Sequence, residues 1–261
     1  MTATAQDLLP ATRNALSLLL LAMADDEFVI GFSDSEWTGI APLLEEDVAM
    51  SSLAQDELGH AQALYRLLAE LVDDGRNADA IAFDRPPEGY YHARLLDHPR
   101  GDWADTIARR FLYDTADSVR LEALAEGSWP PLADLVGKIR REERYHLLHV
   151  GAWFERLAAA DGEPRRRLLD ALGRLAPDAA TVLAPLPDEL GLVLAGIADA
   201  TSDELEARWE ARIRPTFERL DLPMPPPARD PGRSRTDHSD AFRWLHGEFT
   251  AVRRLDREAT W

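Results

Sequence analysis

The chain runs to 261 residues, with 47 Asp plus Glu against 29 Lys plus Arg, a formal net charge of −18 and no cysteine. The missing sulfur excludes a disulfide framework, a thiolate metal site, a cysteine-ligated iron–sulfur cluster and a cysteine nucleophile, so any metal must be held by carboxylate and imidazole. The acidic excess repels phosphate backbones and anionic lipid headgroups, which makes neither nucleic acid nor a membrane surface an expected partner.

Helical periodicity dominates and strand alternation is nearly absent, so the expected fold class is all-α. Ala11–Met23 has helical apolar spacing. The longest apolar run, Ala15–Ala24, is broken by Ser17, follows no basic segment and is too short to span a bilayer; a cytoplasmic location is the expectation. Asp25 or Asp26 is placed to cap a following helix, Glu27–Ile40, which carries Glu36 and Trp37. Pro42 suits the first turn of the next helix, and Glu45, Glu46 and Asp47 put negative charge at its positive end. That helix continues through Leu53, Leu58, Leu64 and Leu71 and stops at Asp73-Asp74-Gly75. Residues 75–103, rich in Asp, Pro and Gly, read as a long connection able to fold over the helices. Helices are expected again over Trp103–Glu126 and, after Pro130-Pro131, to about Ala160. Two helix pairs joined by one long crossover make a four-helix bundle. Shorter helices over Glu163–Ala176, Glu189–Ala198 and Ser202–Leu220 complete a helical unit spanning residues 1–221. Residues 222–261 are expected to be a Pro-rich linker and a last amphipathic helix, Ser239–Arg257, packing on the same domain.

Asp56-Glu57-Leu58-Gly59-His60 and Glu142-Glu143-Arg144-Tyr145-His146 repeat one arrangement, an acid followed by Glu-x-x-His in the middle of a long helix. Residues three apart share a helix face, so Glu57 with His60, and Glu143 with His146, can each offer an oxygen and a nitrogen to a metal ion. A di-iron or di-manganese carboxylate site needs one more carboxylate from each partner helix, and Glu36 and Asp114 lie in those helices. The motif is short enough to recur by chance, and i,i+3 pairing of solvated side chains accounts for it equally well on periodicity alone. Leu53, Leu64, Leu112 and Leu147 argue that the acids point inward, where several carboxylates repel unless they are protonated or share cations.

Ser35-Glu36-Trp37, Ala41-Pro42, Leu44-Glu45-Glu46-Asp47 and Gly59-x-Ala61 resemble the C-type subunit (PaaC) of the phenylacetate catabolic proteins, ferritin-like subunits of the bacterial phenylacetyl-CoA epoxidase. The tail, with His238-Ser239-Asp240, Leu245, Glu248 and Arg253-Arg254, is similar to the same C-type protein. Gln55-Asp56-Glu57-x-Gly59-His60 and Phe111-Leu112-x-Asp114 resemble instead the metal-binding helices of the catalytic A-type subunit (PaaA). The resemblance implies a ferritin-like four-helix bundle with additional C-terminal helices. It also implies a ligand set that C-type subunits commonly lack: Glu36 and His60 as terminal ligands of one iron, Asp114 and His146 of the other, and Glu57 and Glu143 bridging. Asp56 and Glu142 are either acceptors that orient the ligating imidazoles or exposed helix acids, and His149 stays structural.

Carried further, the resemblance implies two iron ions, with manganese the alternative, and an oxygen-activating centre that places one oxygen atom on an aromatic ring held as a CoA thioester. It implies an A-type partner in a homo- or hetero-oligomer. Electrons would come from a separate flavin and iron–sulfur reductase, because this chain has no Gly-rich flavin motif and no cysteine. Trp37, Phe111 and Tyr113 either border an aromatic pocket or are ordinary core. Arg109, Arg110, Arg140, Arg141 and Arg144 either meet a CoA phosphate or an acidic partner surface, or are solvated helix-face residues. Two other functions stay open on the residues alone: a stand-alone di-iron oxygenase or oxidase acting on another substrate, and a metal-free helical scaffold.

Overall fold

Periodic apolar residues at helical spacing need a partner surface, and here the long helices bury theirs against one another. The computed structural model describes residues 8–227 and 235–256; among them are ten α-helices and no strand. The ferritin-like bundle is formed by α1 (Pro10–Ser35), α2 (Leu44–Val72), α4 (Trp103–Leu124) and α5 (Pro130–Ala159), with the short α3 (Ala78–Phe83) in the crossover. Four shorter helices follow, α6 (Glu163–Ala179), α7 (Glu189–Leu194), α8 (Ser202–Arg219) and α9 (Asp240–Phe249), and the chain continues into α10 (Ala251–Leu255). No described helix is long and apolar enough to cross a membrane.

The first two expected helices are one. α1 runs unbroken for 26 residues, and Asp25 and Asp26 sit wholly buried in its middle instead of capping anything. Donors from distant parts of the chain, most of them cations, make this possible. Asp25 accepts from Tyr65 Oη at 2.5 Å and Arg85 Nη1 at 2.9 Å, while Asp26 accepts from Arg120 Nη1 at 2.7 Å and Arg235 Nη1 at 2.9 Å. A buried charge so paired is tolerated where an unpaired one is not. Pro42 lies just outside α2, whose N-cap is the extended Leu43, but Glu45, Glu46 and Asp47 do occupy the first turn. Asp73, in the left-handed region at φ 51°, ends α2.

The crossover is more ordered than an irregular connection. Besides α3 it holds tight turns at Pro87–Gly89 and Arg94–Asp97, and it delivers Asp102 to α4 as the acceptor of a capping box with Asp105. Within the second helix pair the packing is aromatic. Phe111 on α4 stacks on Phe154 of α5 with ring centroids 3.9 Å apart, and Phe217 of α8 closes over both. Trp37 is core, its Nε1 donating to Thr106 Oγ1 at 2.9 Å.

The C-terminal segment returns to the crossover. Asp97 accepts from His92 Nε2 at 2.7 Å and from the Ser239 backbone N–H at 3.0 Å, and Ser239 Oγ in turn caps α9 by accepting from the Phe242 N–H. Phe242 and Phe249 then pack against Tyr90 and Phe28. The expected last helix breaks at Thr250 into α9 and α10, and its expected end, Arg257, lies outside the described residues.

Candidate metal centre

Each long helix contributes polar side chains to one point inside the bundle. Glu27 comes from α1, Glu57 and His60 from α2, Asp114 from α4, and Glu143 and His146 from α5; every one is buried. The Glu-x-x-His spacing does its local work, since i and i+3 rise on the same face of α2 and of α5. Gly31 of α1 allows a close approach to α2 here. A Cβ on it would stand 3.1 Å from both Glu57 Cβ and Leu58 Cγ.

The imidazoles turn the same nitrogen inward. His60 Nδ1 lies 3.3 Å from Glu27 Oε2, 3.7 Å from Glu57 Oε2 and 3.5 Å from Glu143 Oε1. His146 Nδ1 lies 3.3 Å from Glu57 Oε1 and 3.0 Å from Glu143 Oε1. Their outward nitrogens are held crosswise by acids of the opposite helix, His60 Nε2 by Glu142 at 2.7 Å and His146 Nε2 by Asp56 at 3.2 Å. Asp56 and Glu142 thus touch imidazoles at the half-open rim between α2 and α5, where their side chains keep 40% and 54% exposure.

Glu36 does not join this cluster. It sits one residue past the end of α1, about 14 Å of helix rise from Glu27, and pairs with Arg100 Nε at 3.2 Å; the same guanidinium lies 4.2 Å from the Trp37 ring centroid. The carboxylate that α1 supplies is Glu27, oriented by Tyr113 Oη at 3.0 Å. The signal for it was present in the unbroken apolar periodicity through Ile30, which places Glu27, Gly31 and Asp34 on one face at i, i+4 and i+7. His149 lies outside the centre, 3.0 Å from Glu46.

Arg109 and Arg110 are buried, not presented to a ligand or a partner surface. Arg109 donates to the carbonyls of His98 and Pro99 and to Ser33. Arg110 enters the centre itself. Its guanidinium meets Glu57 Oε1 in a short contact and approaches His146 Nδ1 at 3.3 Å, Asp114 at 3.4 Å and Asp34 at 3.5 Å.

Electrostatics here follow from burial first and partners second. Burial and the neighbouring Glu57 carboxylate drive Glu27 well above the usual range. Burial likewise raises Asp114 despite Arg110. Burial also works to raise Glu57, but Arg110, Glu27 and the imidazoles outweigh it and hold Glu57 low. For the histidines, burial favours the neutral ring, yet their carboxylate neighbours win and push His60 up to about 12 and His146 up to about 11.

The donors suit a cation. Glu27, Glu57, His60 and Glu143 each offer one ligand atom, all within 4.8 Å of one another. Donors about 2.1 Å from a shared tetrahedral ion stand about 3.4 Å apart, close to the separations around His60 Nδ1. Glu57 Oε2 and both carboxylate oxygens of Asp114 are buried without a hydrogen-bond partner. Orphaned carboxylate oxygens in an apolar bundle are costly unless a cation satisfies them. A possible metal site of Glu and His residues is therefore present.

Comparison with known proteins places the chain. A family model described as "Phenylacetic acid catabolic protein" matches residues 1–261. The C-type subunit of 1,2-phenylacetyl-CoA epoxidase from Escherichia coli (strain K12) is 32% identical over 200 residues, 77% of this chain and 80% of that protein. The A-type subunit of 1,2-phenylacetyl-CoA epoxidase from the same organism is 27% identical over 228 residues, 85% of this chain and 72% of that protein.

Proposed function

Because the chain belongs to the phenylacetic acid catabolic protein family, we propose that it is the C-type subunit of a multicomponent monooxygenase that epoxidises the ring of phenylacetyl-CoA. The observation that carries this reading is the 32% identity to the C-type protein of an epoxidase across 80% of that protein. An A-type subunit is the partner the reading requires. Exposed apolar residues on the outer faces of α2 and α5, Leu44 and Val48 on one and Tyr145 and Leu148 on the other, supply surface for it.

The residues fit a metal ion at the position bounded by Glu27, Glu57, His60 and Glu143. Iron held there would supply the redox chemistry of oxygen activation, with electrons from a separate reductase. The chain's own part is orientation and exclusion. Glu142 and Asp56 grip the outer imidazole nitrogens, so Nδ1 of His60 and of His146 faces the interior. Tyr113 fixes Glu27 from the far side. Leu53, Leu64 and Leu112, all buried, keep water from the carboxylates and strengthen every charge interaction among them. Burial and Glu57 favour the protonated form of Glu27, and the carboxylates favour that of His60, so a metal bound there would displace protons.

The test is co-expression of the tagged chain with the A-type subunit from the same genome, followed by affinity capture and light scattering. The two are expected to elute as one stoichiometric complex. Elution of this chain alone, with the A-type subunit folded and soluble in the same lysate, would exclude the C-type reading.

A further inference from the structure

One cation at the centre is part of the chain, the Arg110 guanidinium. Around His60 the donors Glu27, Glu57, His60 and Glu143 converge within 4.8 Å of one another. Around His146 the matching donors are Glu57 Oε1, Glu143 Oε1 and Asp114, and there the Arg110 guanidinium lies among them. Its contacts are those a second metal ion would make: Glu57 Oε1, the same Oε1 that faces His146, Asp114 at 3.4 Å, and His146 Nδ1 at 3.3 Å. We propose that Arg110 is the resident second cation of this centre, so the chain binds one divalent metal ion, at Glu27, Glu57, His60 and Glu143, in place of a pair.

Three properties of Arg110 make the substitution permanent. A guanidinium cannot be deprotonated in a protein, so it never yields its charge to an incoming ion. It is fully buried on α4, one turn from Asp114, and Asp34 binds it on a further side at 3.5 Å, leaving no solvated position to swing to. Arg110 Nη2 stands 3.3 Å from His146 Nδ1, too close for a metal ion about 2.1 Å from the ring nitrogen to lie between them. On this account His60 is a metal ligand and His146 is a positioning residue for the guanidinium. The inference rests on the interior residues and not on the C-type reading, so failure to pair with an A-type subunit leaves it standing.

The test is metal stoichiometry of the full chain, stripped with chelator, loaded anaerobically with excess Fe(II) or Mn(II), desalted and assayed by elemental mass spectrometry. One metal per chain is expected, with the six-line resonance of isolated Mn(II) in the manganese form. Arg110→Leu is expected to raise the count to two and to give a spin-coupled spectrum. Removal of a buried guanidinium can also unfold the chain, so a second pair of variants carries the same question. His60→Ala should lose the metal, whereas His146→Ala should keep one. Two metals in the unaltered chain, none, or equal loss in both histidine variants would overturn the proposal.

Discussion

Asp26→Asn puts the packing logic of α1 to a quantitative test. The carboxylate is fully buried and accepts from Arg120 Nη1 at 2.7 Å, Arg235 Nη1 at 2.9 Å, Arg235 Nη2 at 3.1 Å and the Ala93 N–H at 2.7 Å. An amide of the same shape can still accept from Ala93, but it leaves two guanidinium groups without their shared anion. Breaking a buried pair by removing one partner costs about 3–5 kcal/mol. Arg120 keeps Asp117, and Arg235 keeps the carbonyls of Tyr91 and Val182, which argues for the lower end, about 3 kcal/mol. At about 2–4 °C per kcal/mol for a chain near this size, the Tm should fall by about 6–12 °C. Thermal unfolding followed by circular dichroism at pH 7 measures it, with Asp74→Asn, an exposed partner of Arg76, as a control expected to change nothing measurable. Burial alone would raise the Asp26 carboxyl, but Arg235 and Arg120 outweigh it and hold it below its ordinary 3.8. Its contribution is therefore complete above pH 3.8 and disappears only as pH falls through the lower folded value, so variant and unaltered chain should converge in strong acid. A Tm change under about 2 °C at neutral pH would refute the claim that Asp26 is held by its cations.

Other outcomes follow from the same contacts. Glu57→Gln should abolish Fe(II) retention after desalting while Glu36→Gln leaves it unchanged, because Glu36 answers to Arg100 and not to the centre; metal analysis of the two variants decides it. Metal uptake should release protons and weaken as pH falls, since His60, raised to about 12 without metal, must lose its proton to bind. A pH indicator in weak buffer during anaerobic Fe(II) titration reads this directly, and pH-independent uptake between pH 6 and 8 would count against His60 as a ligand. Asp97→Asn should loosen α9, because Asp97 holds the Ser239 N–H and both His92 and His238; amide exchange across 240–249 should speed up while that of α4 stays constant.

The helices were legible because their signals are local. Both Glu-x-x-His segments sit on long periodic stretches, and the acidic first turn of α2 and the stop at Asp73 mark its ends without reference to anything distant. The interior of α1 was not legible, for the opposite reason. Asp25, Asp26 and Glu27 read as a polar break until Arg85, Arg120, Arg235 and His60 are brought to them from elsewhere in the chain. With the helix taken to break there, the first carboxylate falls at Glu36, which sits in a family-like tripeptide but lies beyond the end of α1. Arg110 was hidden by the same locality. Next to Arg109 it looks like half of a basic surface patch, and only the assembled bundle, which brings Asp34 of α1 and Glu57 of α2 to it, shows it facing acids.

Anomalous scattering at the iron edge, from crystals of the full chain grown anaerobically with Fe(II), tests the centre most directly. The account predicts one peak, about 2 Å from donor atoms of Glu27, Glu57, His60 and Glu143, with Arg110 still seated between Glu57 and Asp114. No peak inside the bundle, or iron bound at Glu36, would contradict it.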